Sequence, residues 1–219
     1  MTYYVGLEKE EFIPNIYIGA GSEGIVYYNP KTQEAIKIFY LFNGYDANMD
    51  EMEALKMSKI ETKYILLPRR LVYDERGIFM GYTTPFIRKS WNMKEEALLN
   101  YPSVLLRYLL AKLYKDTEII SKHKLIINDI LNKPDNYIFN GSFYLVDPGY
   151  YYFCGNSEEI VKITNFKRIN NFLCETVLNS IIPDLSKELS ERGLTYTLCD
   201  YLKDEVRPNE TLMNLVRRK

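Results

Sequence analysis

The sequence predicts an α+β chain in two parts: five antiparallel strands with one helix over residues 1–86, then a reduced, mostly helical part over residues 87–219. Three observations predict it. Short runs rich in Ile, Val and Tyr crowd the chain up to Ile87. From about Met93 apolar residues recur at three- and four-residue steps. A single Asn-Gly turn between two short apolar runs interrupts that helical part. With 219 residues, 47% of them hydrophobic, the chain is long enough to bury a core of this size.

In chain order, "NIYIGA", "GIVYYN" and "EAIKIFY" are expected strands, separated by "GSE" and by "NPKTQ", where Pro30 sits in a permitted turn position. Between Met49 and Ile60 the period changes. Met52, Leu55 and Ser58 fall on one side, with acids early and lysines late as a helix dipole prefers, so one helix is expected against the sheet. "RRLVYDERGIFMGYTTPFI" supplies two more strands about the turn "DERG", and Pro85 ends the run. "YPSVLLRYLLAKLYKDTEIISKH" then reads as a long amphipathic helix. "YIF" and "FYLV", joined by Asn140-Gly141, read as a hairpin, and "NFKRINNFLCETVLNSII" and "NETLMNLVRR" as further helices.

Charge excludes some classes of function. A net charge of -1 gives no general attraction to nucleic acid or anionic lipid, so neither is an expected partner and an anionic ligand must be held by local groups. The start "MTYYVGLEKEEFIP" lacks a basic opening and an apolar core, and Arg107 and Lys112 interrupt "SVLLRYLLAKLY" too early for a membrane span. A soluble, cytoplasmic protein is expected. Cys154, Cys174 and Cys199 stand far apart without metal-ligand spacing and read as reduced core residues. The single histidine, His123 in "SKHKL", reads as a solvated residue at a helix end.

Chemistry concentrates elsewhere. In "IGAGSEGIVYY", Gly19, Gly21 and Gly24 have GxGxxG spacing. A strand follows the motif where a dinucleotide fold would need a helix. A glycine loop between two strands can instead lay backbone N–H groups over phosphates, with Val26 covering an adenine. In "EAIK", Lys37 lies among apolar neighbours, and Ala35, two residues earlier on the same strand face, leaves room for a flat base. In "DEMEALK", Glu51 lies one turn before Leu55. If that leucine packs inward, Glu51 is expected to pair with Lys37 and aim its ammonium at phosphates.

Taken together, "GAGSEGIVY", "AIK", Glu51 and "DPG" in this order resemble the protein kinase-like superfamily, in a compact bacterial-type Ser/Thr form, from about Ile16 to Tyr150. The resemblance implies a bilobal fold and ATP with Mg2+ as cofactors. It implies a hinge at "TTPFI", where Thr84 is the gatekeeper, Pro85 offers its carbonyl and Ile87 its N–H to the adenine edge. Asp147, at the end of an apolar strand and before Pro and Gly, takes the place of a magnesium ligand; alone it would read as a turn.

The stretch "IINDILNKPDNYIF" matches the family's catalytic loop from both sides. From the left, Asp129 falls where the acid orients or deprotonates an acceptor hydroxyl. From the right, Asn136 falls where the metal-binding asparagine stands. The family spaces these by four residues, whereas Ile130 to Asp135 makes six, so the match needs an insertion; an ungapped match would put Leu131 in the acid's place. The insertion is preferred because leucine can neither accept a proton nor ligate a cation. By resemblance Lys133 then faces the transferred phosphate. Ile127 and Asn128 replace the usual His and Arg, which implies no switching by loop phosphorylation, and no APE motif follows. Two functions are therefore expected in competition. One is phosphotransfer from ATP to a hydroxyl of a protein or small-molecule acceptor; the other is a pseudokinase that binds nucleotide without transfer and acts as a regulatory module.

Overall fold

The computed structural model describes residues 1–40, 49–88, 100–131, 133–178, 182 and 184–217, so the expected helical onset near Met93 lies outside the described residues. The chain is α+β and divides into two compact units. The first holds Met1–Glu61, Leu66–Arg88 and Asp147–Tyr150. The second holds Thr62–Ile65, Lys89–Val146 and Tyr151–Lys219. The chain passes between the two units more than once.

The first unit is built on a seven-stranded antiparallel sheet, not the five strands expected. Its strands are β1 (Tyr3–Val5), β2 (Glu10–Phe12), β3 (Tyr17–Ala20), β4 (Gly24–Asn29), β5 (Glu34–Phe39), β6 (Leu71–Tyr73) and β7 (Phe79–Pro85), in the order β2-β1-β6-β7-β5-β4-β3. The additional pair, β1 and β2, turns at Gly6 with φ +73°, and β1 joins the sheet by pairing Tyr4 with Tyr73. It covers the edge of β6 that a five-stranded sheet would leave open.

Alternation on β5 divides the sheet's two faces. Ile36 and Ile38 point into an apolar cluster with Tyr3, Val5, Phe12, Val72 and Met80. Ala35, Lys37 and Phe39 take the opposite face. Helix α1 (Glu51–Met57) starts at Asp50, whose carboxylate caps the N–H of Glu53, and buries Ala54 and Met57. Met52 and Leu55, expected to face inward, are exposed. The sequence offers two apolar stripes on this short helix, and the one formed by Ala54 and Met57, with Ile60 just beyond the helix end, is buried because the small alanine allows close approach.

In the second unit, α2 (Ser103–Lys122) buries Leu106, Leu110 and Leu113, and exposed His123 follows at its C-terminus, as expected. Next come β8 (Leu125–Ile126), the hairpin of β9 (Tyr137–Phe139) and β10 (Phe143–Leu145), and β11 (Tyr152–Phe153), which pairs with β8. Gly141 turns the expected hairpin at φ +67°. The helices α3 (Glu158–Asn171), α4 (Leu185–Arg192), α5 (Leu198–Glu205) and α6 (Leu212–Val216) complete it, with a π-helical turn at Phe172–Val177 extending α3. Asp116 of α2 is buried and accepts the successive N–H groups of Lys63, Tyr64 and Ile65, so the Thr62–Ile65 segment is held like an anion-binding nest wrapped round a carboxylate. Among the described residues no helix is long and apolar enough to cross a membrane.

All three cysteines are free. Cys174 is buried, whereas Cys154 and Cys199 are partly exposed, so only Cys174 fits the core position expected for all three. Burial pushes the thiols of Cys174 and Cys199 up to about 12. At pH 8 a thiol-reactive reagent should therefore label Cys154 first, with Cys174 and Cys199 following only as the protein unfolds. Peptide mapping after brief labelling checks this; equal labelling of all three would contradict it.

Candidate functional site

In the first unit the ladder register gathers several of the expected residues on one sheet face. Val26 lies opposite Lys37 and Lys37 opposite Tyr82, while Tyr28, Ala35 and Thr84 form the next row. Val26, Ala35, Lys37 and Thr84 therefore share the face opposite the apolar cluster. Pro85 pairs with Glu34 at the end of β7, and Ile87 follows after it, half-buried. The Phe86 N–H donates to the Gln33 carbonyl, and the Phe86 ring lies 4.3 Å from that of Tyr28.

Lys37 is buried within the sheet, between β4 and β7, and not on an edge. An ammonium there needs anionic partners, and it has two. Its Nζ donates to Glu23 Oε2 at 2.6 Å and to Asp147 Oδ1 in a short contact; the Tyr82 hydroxyl lies 3.4 Å from the same Asp147 oxygen. The expected partner, Glu51, is elsewhere. It stands at the exposed first position of α1 and accepts the Tyr73 hydroxyl at 2.8 Å; burial and this carboxylate push the Tyr73 phenol up to about 12. The correction follows from the helix phase: with Leu55 outward, Glu51 is turned away from Lys37 as well.

Glu23 comes from the glycine loop itself. Its carbonyl accepts the Tyr40 N–H at 2.9 Å, and the Gly21 N–H donates to the Gly24 carbonyl at 3.0 Å, which closes the turn. The three loop glycines differ in what they do. A Cβ on Gly24 would lie 2.2 Å from the Ile38 carbonyl oxygen, so Gly24 seats β4 on β5. A Cβ on Gly19 or Gly21 would meet nothing within 4 Å.

Asp147 has φ +57°, a left-handed conformation that costs a non-glycine residue about 1 kcal/mol or more, and such strain tends to gather at functional positions. A Cβ on Gly149, two residues on, would come 2.7 Å from Glu23 Oε2. The sequence "DPG" thus leaves room for the carboxylate that meets Lys37.

The second unit gathers the other expected group. Asn136 Nδ2 donates to the Asp129 carbonyl at 2.9 Å, which leaves its amide oxygen as a potential cation ligand. Lys133 forms an ion pair with the Asp129 carboxylate, and Leu131 is exposed. The six intervening residues do not keep Asp129 and Asn136 apart. Asp129, like Asp147, has φ +57°.

The segment before Asp129 is clamped by α3. Fully buried Asn165 accepts the Ile127 N–H at 2.9 Å and donates to the Leu125 carbonyl at 2.9 Å and to Ser121 Oγ at 3.0 Å. Arg168, one turn further, donates to the Ile127 carbonyl and to Asn128 Oδ1. Sequence reasoning missed Glu23, Tyr82, Asn165 and Arg168. Only Asn165 and Arg168 left a signal, two polar residues three apart on one face of an otherwise amphipathic helix.

Among the described residues no group of three or more His, Cys, Asp or Glu side chains converges as a metal site. Asp147 and Asn136 each offer hard oxygen donors, which suit Mg2+. No model of a known protein family matches the sequence, and no curated protein matches it.

Proposed function

We propose that the chain is a Mg2+- and ATP-dependent phosphotransferase of the protein kinase-like kind that moves the γ-phosphate to a hydroxyl of a protein or small-molecule acceptor. The observation that supports it most is the ion pair of Lys37 with Asp147, 110 positions apart in sequence, on a sheet face that also carries Val26, Ala35 and Thr84. A buried lysine beside a carboxylate with left-handed backbone is an arrangement suited to phosphate and cation, and an expensive one for a turn alone.

On this reading Lys37 aligns the phosphates beneath the glycine loop, and Val26 and Ala35 receive the adenine, whose edge meets the chain at Pro85 and Ile87. Asp147 and the Asn136 amide oxygen, one in each unit, are the oxygen donors that would hold magnesium. The chemistry magnesium would supply is neutralisation of charge on the phosphates. Asp129 orients the acceptor hydroxyl, with Lys133 beside it to face the transferred phosphate. Positioning and charge neutralisation supply most of the rate.

The test is incubation of the purified protein with Mg2+ and γ-labelled ATP, alone and with cell lysate, beside Asp129→Ala. Label transfer is expected in the unaltered protein and is expected to fall about 100-fold or more in the variant. ATP binding without transfer in either protein would replace this reading with that of a nucleotide-binding pseudokinase.

A further inference from the structure

We propose that Glu23, in the glycine loop, is the positioning residue that orients Lys37 toward nucleotide phosphates; this rests on the phosphotransferase reading. The side chains of Lys37 and Glu23 are 11% and 12% exposed, so their 2.6 Å contact lies in a poorly solvated place where geometry decides its strength. Asp147, the other partner, is 38% exposed.

One ammonium facing two carboxylates has a simple use. If Asp147 turns to a cation, Lys37 keeps a partner in Glu23 and its direction with it. Glu51, occupied by Tyr73, cannot serve in the same arrangement.

The device is built into the loop. Gly24 fixes the turn onto β5, and the Tyr40 N–H fixes the backbone of Glu23. Gly149 leaves the space its carboxylate fills. The residue that steers the lysine thus belongs to the same loop that is proposed to cover the phosphates, so phosphate alignment depends on the loop being down and does not require α1 to move.

The test is a double-mutant cycle of Glu23→Gln and Lys37→Met, with Glu51→Gln alongside. It is read in the rate of label transfer, in calorimetric ATP affinity, and in the unfolding midpoint without nucleotide. Glu23→Gln should reduce kcat at least tenfold more than it weakens ATP binding, and its loss should exceed that of Glu51→Gln at least tenfold. In the Lys37→Met background Glu23→Gln should change neither label transfer nor ATP affinity any further, while returning part of the unfolding midpoint; a merely structural role would couple the two residues in the midpoint alone. Additive losses, or a larger loss in Glu51→Gln, would overturn the inference while leaving the phosphotransferase reading intact. A protein that neither binds ATP nor transfers label would overturn that reading and the nucleotide role of Glu23 with it. Coupling of Glu23 and Lys37 in the unfolding midpoint would then show a pair that serves the fold alone.

Discussion

Lys37→Met is expected to reduce phosphotransfer by about 100- to 1000-fold, the usual loss on removing one preorganised charge from a phosphoryl-transfer site. It should also destabilise the protein before any nucleotide is added. Glu23 Oε2 and Asp147 Oδ1 both lie on the Lys37 ammonium. Methionine leaves the two carboxylates facing one another with no cation between them. Breaking a fully buried ion pair costs roughly 3–5 kcal/mol; because Asp147 keeps 38% of its side chain in solvent, about 2 kcal/mol is the better expectation here. Glu23→Gln in the same background should return part of the stability and none of the activity. Chemical denaturation of the two variants checks the first effect and label transfer the second. A Lys37→Met protein as stable as the parent would mean that the three side chains do not meet in solution.

Strand identity was legible in the sequence wherever apolar runs were bounded by turn residues, and it supplied β3 to β7 and the hairpin of β9 and β10. The pair β1 and β2 was not. Tyr3–Val5 and Glu10–Phe12 are three residues each, too short for a period to declare itself, and only pairing with β6 gives them a reason to be strands. Tertiary partners likewise settle what propensity leaves open in α1, where Met52 with Leu55 and Ala54 with Met57 are both plausible inner faces.

That ambiguity explains the misassigned glutamate, since a helix rotated by one residue carries its acids to a different side. Glu23 could not be found from spacing, because a glutamate in a glycine loop has no periodic context. Asp129 and Asn136, by contrast, were readable as a pair because the reading rested on chemistry more than on count. A loop absorbs two residues readily, whereas an acid and an amide have no apolar substitutes.

Asp116→Ala is expected to cost about 3 kcal/mol or more, the largest stability loss of any single change considered. One carboxylate oxygen accepts three consecutive backbone N–H groups, from Lys63 at 2.7 Å, Tyr64, and Ile65 at 3.2 Å. Alanine removes all three hydrogen bonds together. The N–H of Ile65 suffers most, since that residue is fully buried and water cannot replace the carboxylate there, while exposed Lys63 can recover by solvation. Asp116→Asn keeps a neutral acceptor oxygen in the same place and should cost about half as much, because hydrogen bonds to a charged oxygen are roughly twice as strong as neutral ones. The damage should spread along the chain. Tyr64 accepts the Leu145 N–H at 2.8 Å and Ile65 bridges Leu145, so loosening this segment loosens β10, which ends two residues before Asp147. Hydrogen exchange at Tyr64, Ile65 and Leu145 should therefore quicken together in Asp116→Ala, before global unfolding sets in. If Leu145 stayed protected while Tyr64 and Ile65 exchanged, Asp116 would be a local anchor only, and β10 would owe its position to the hairpin with β9.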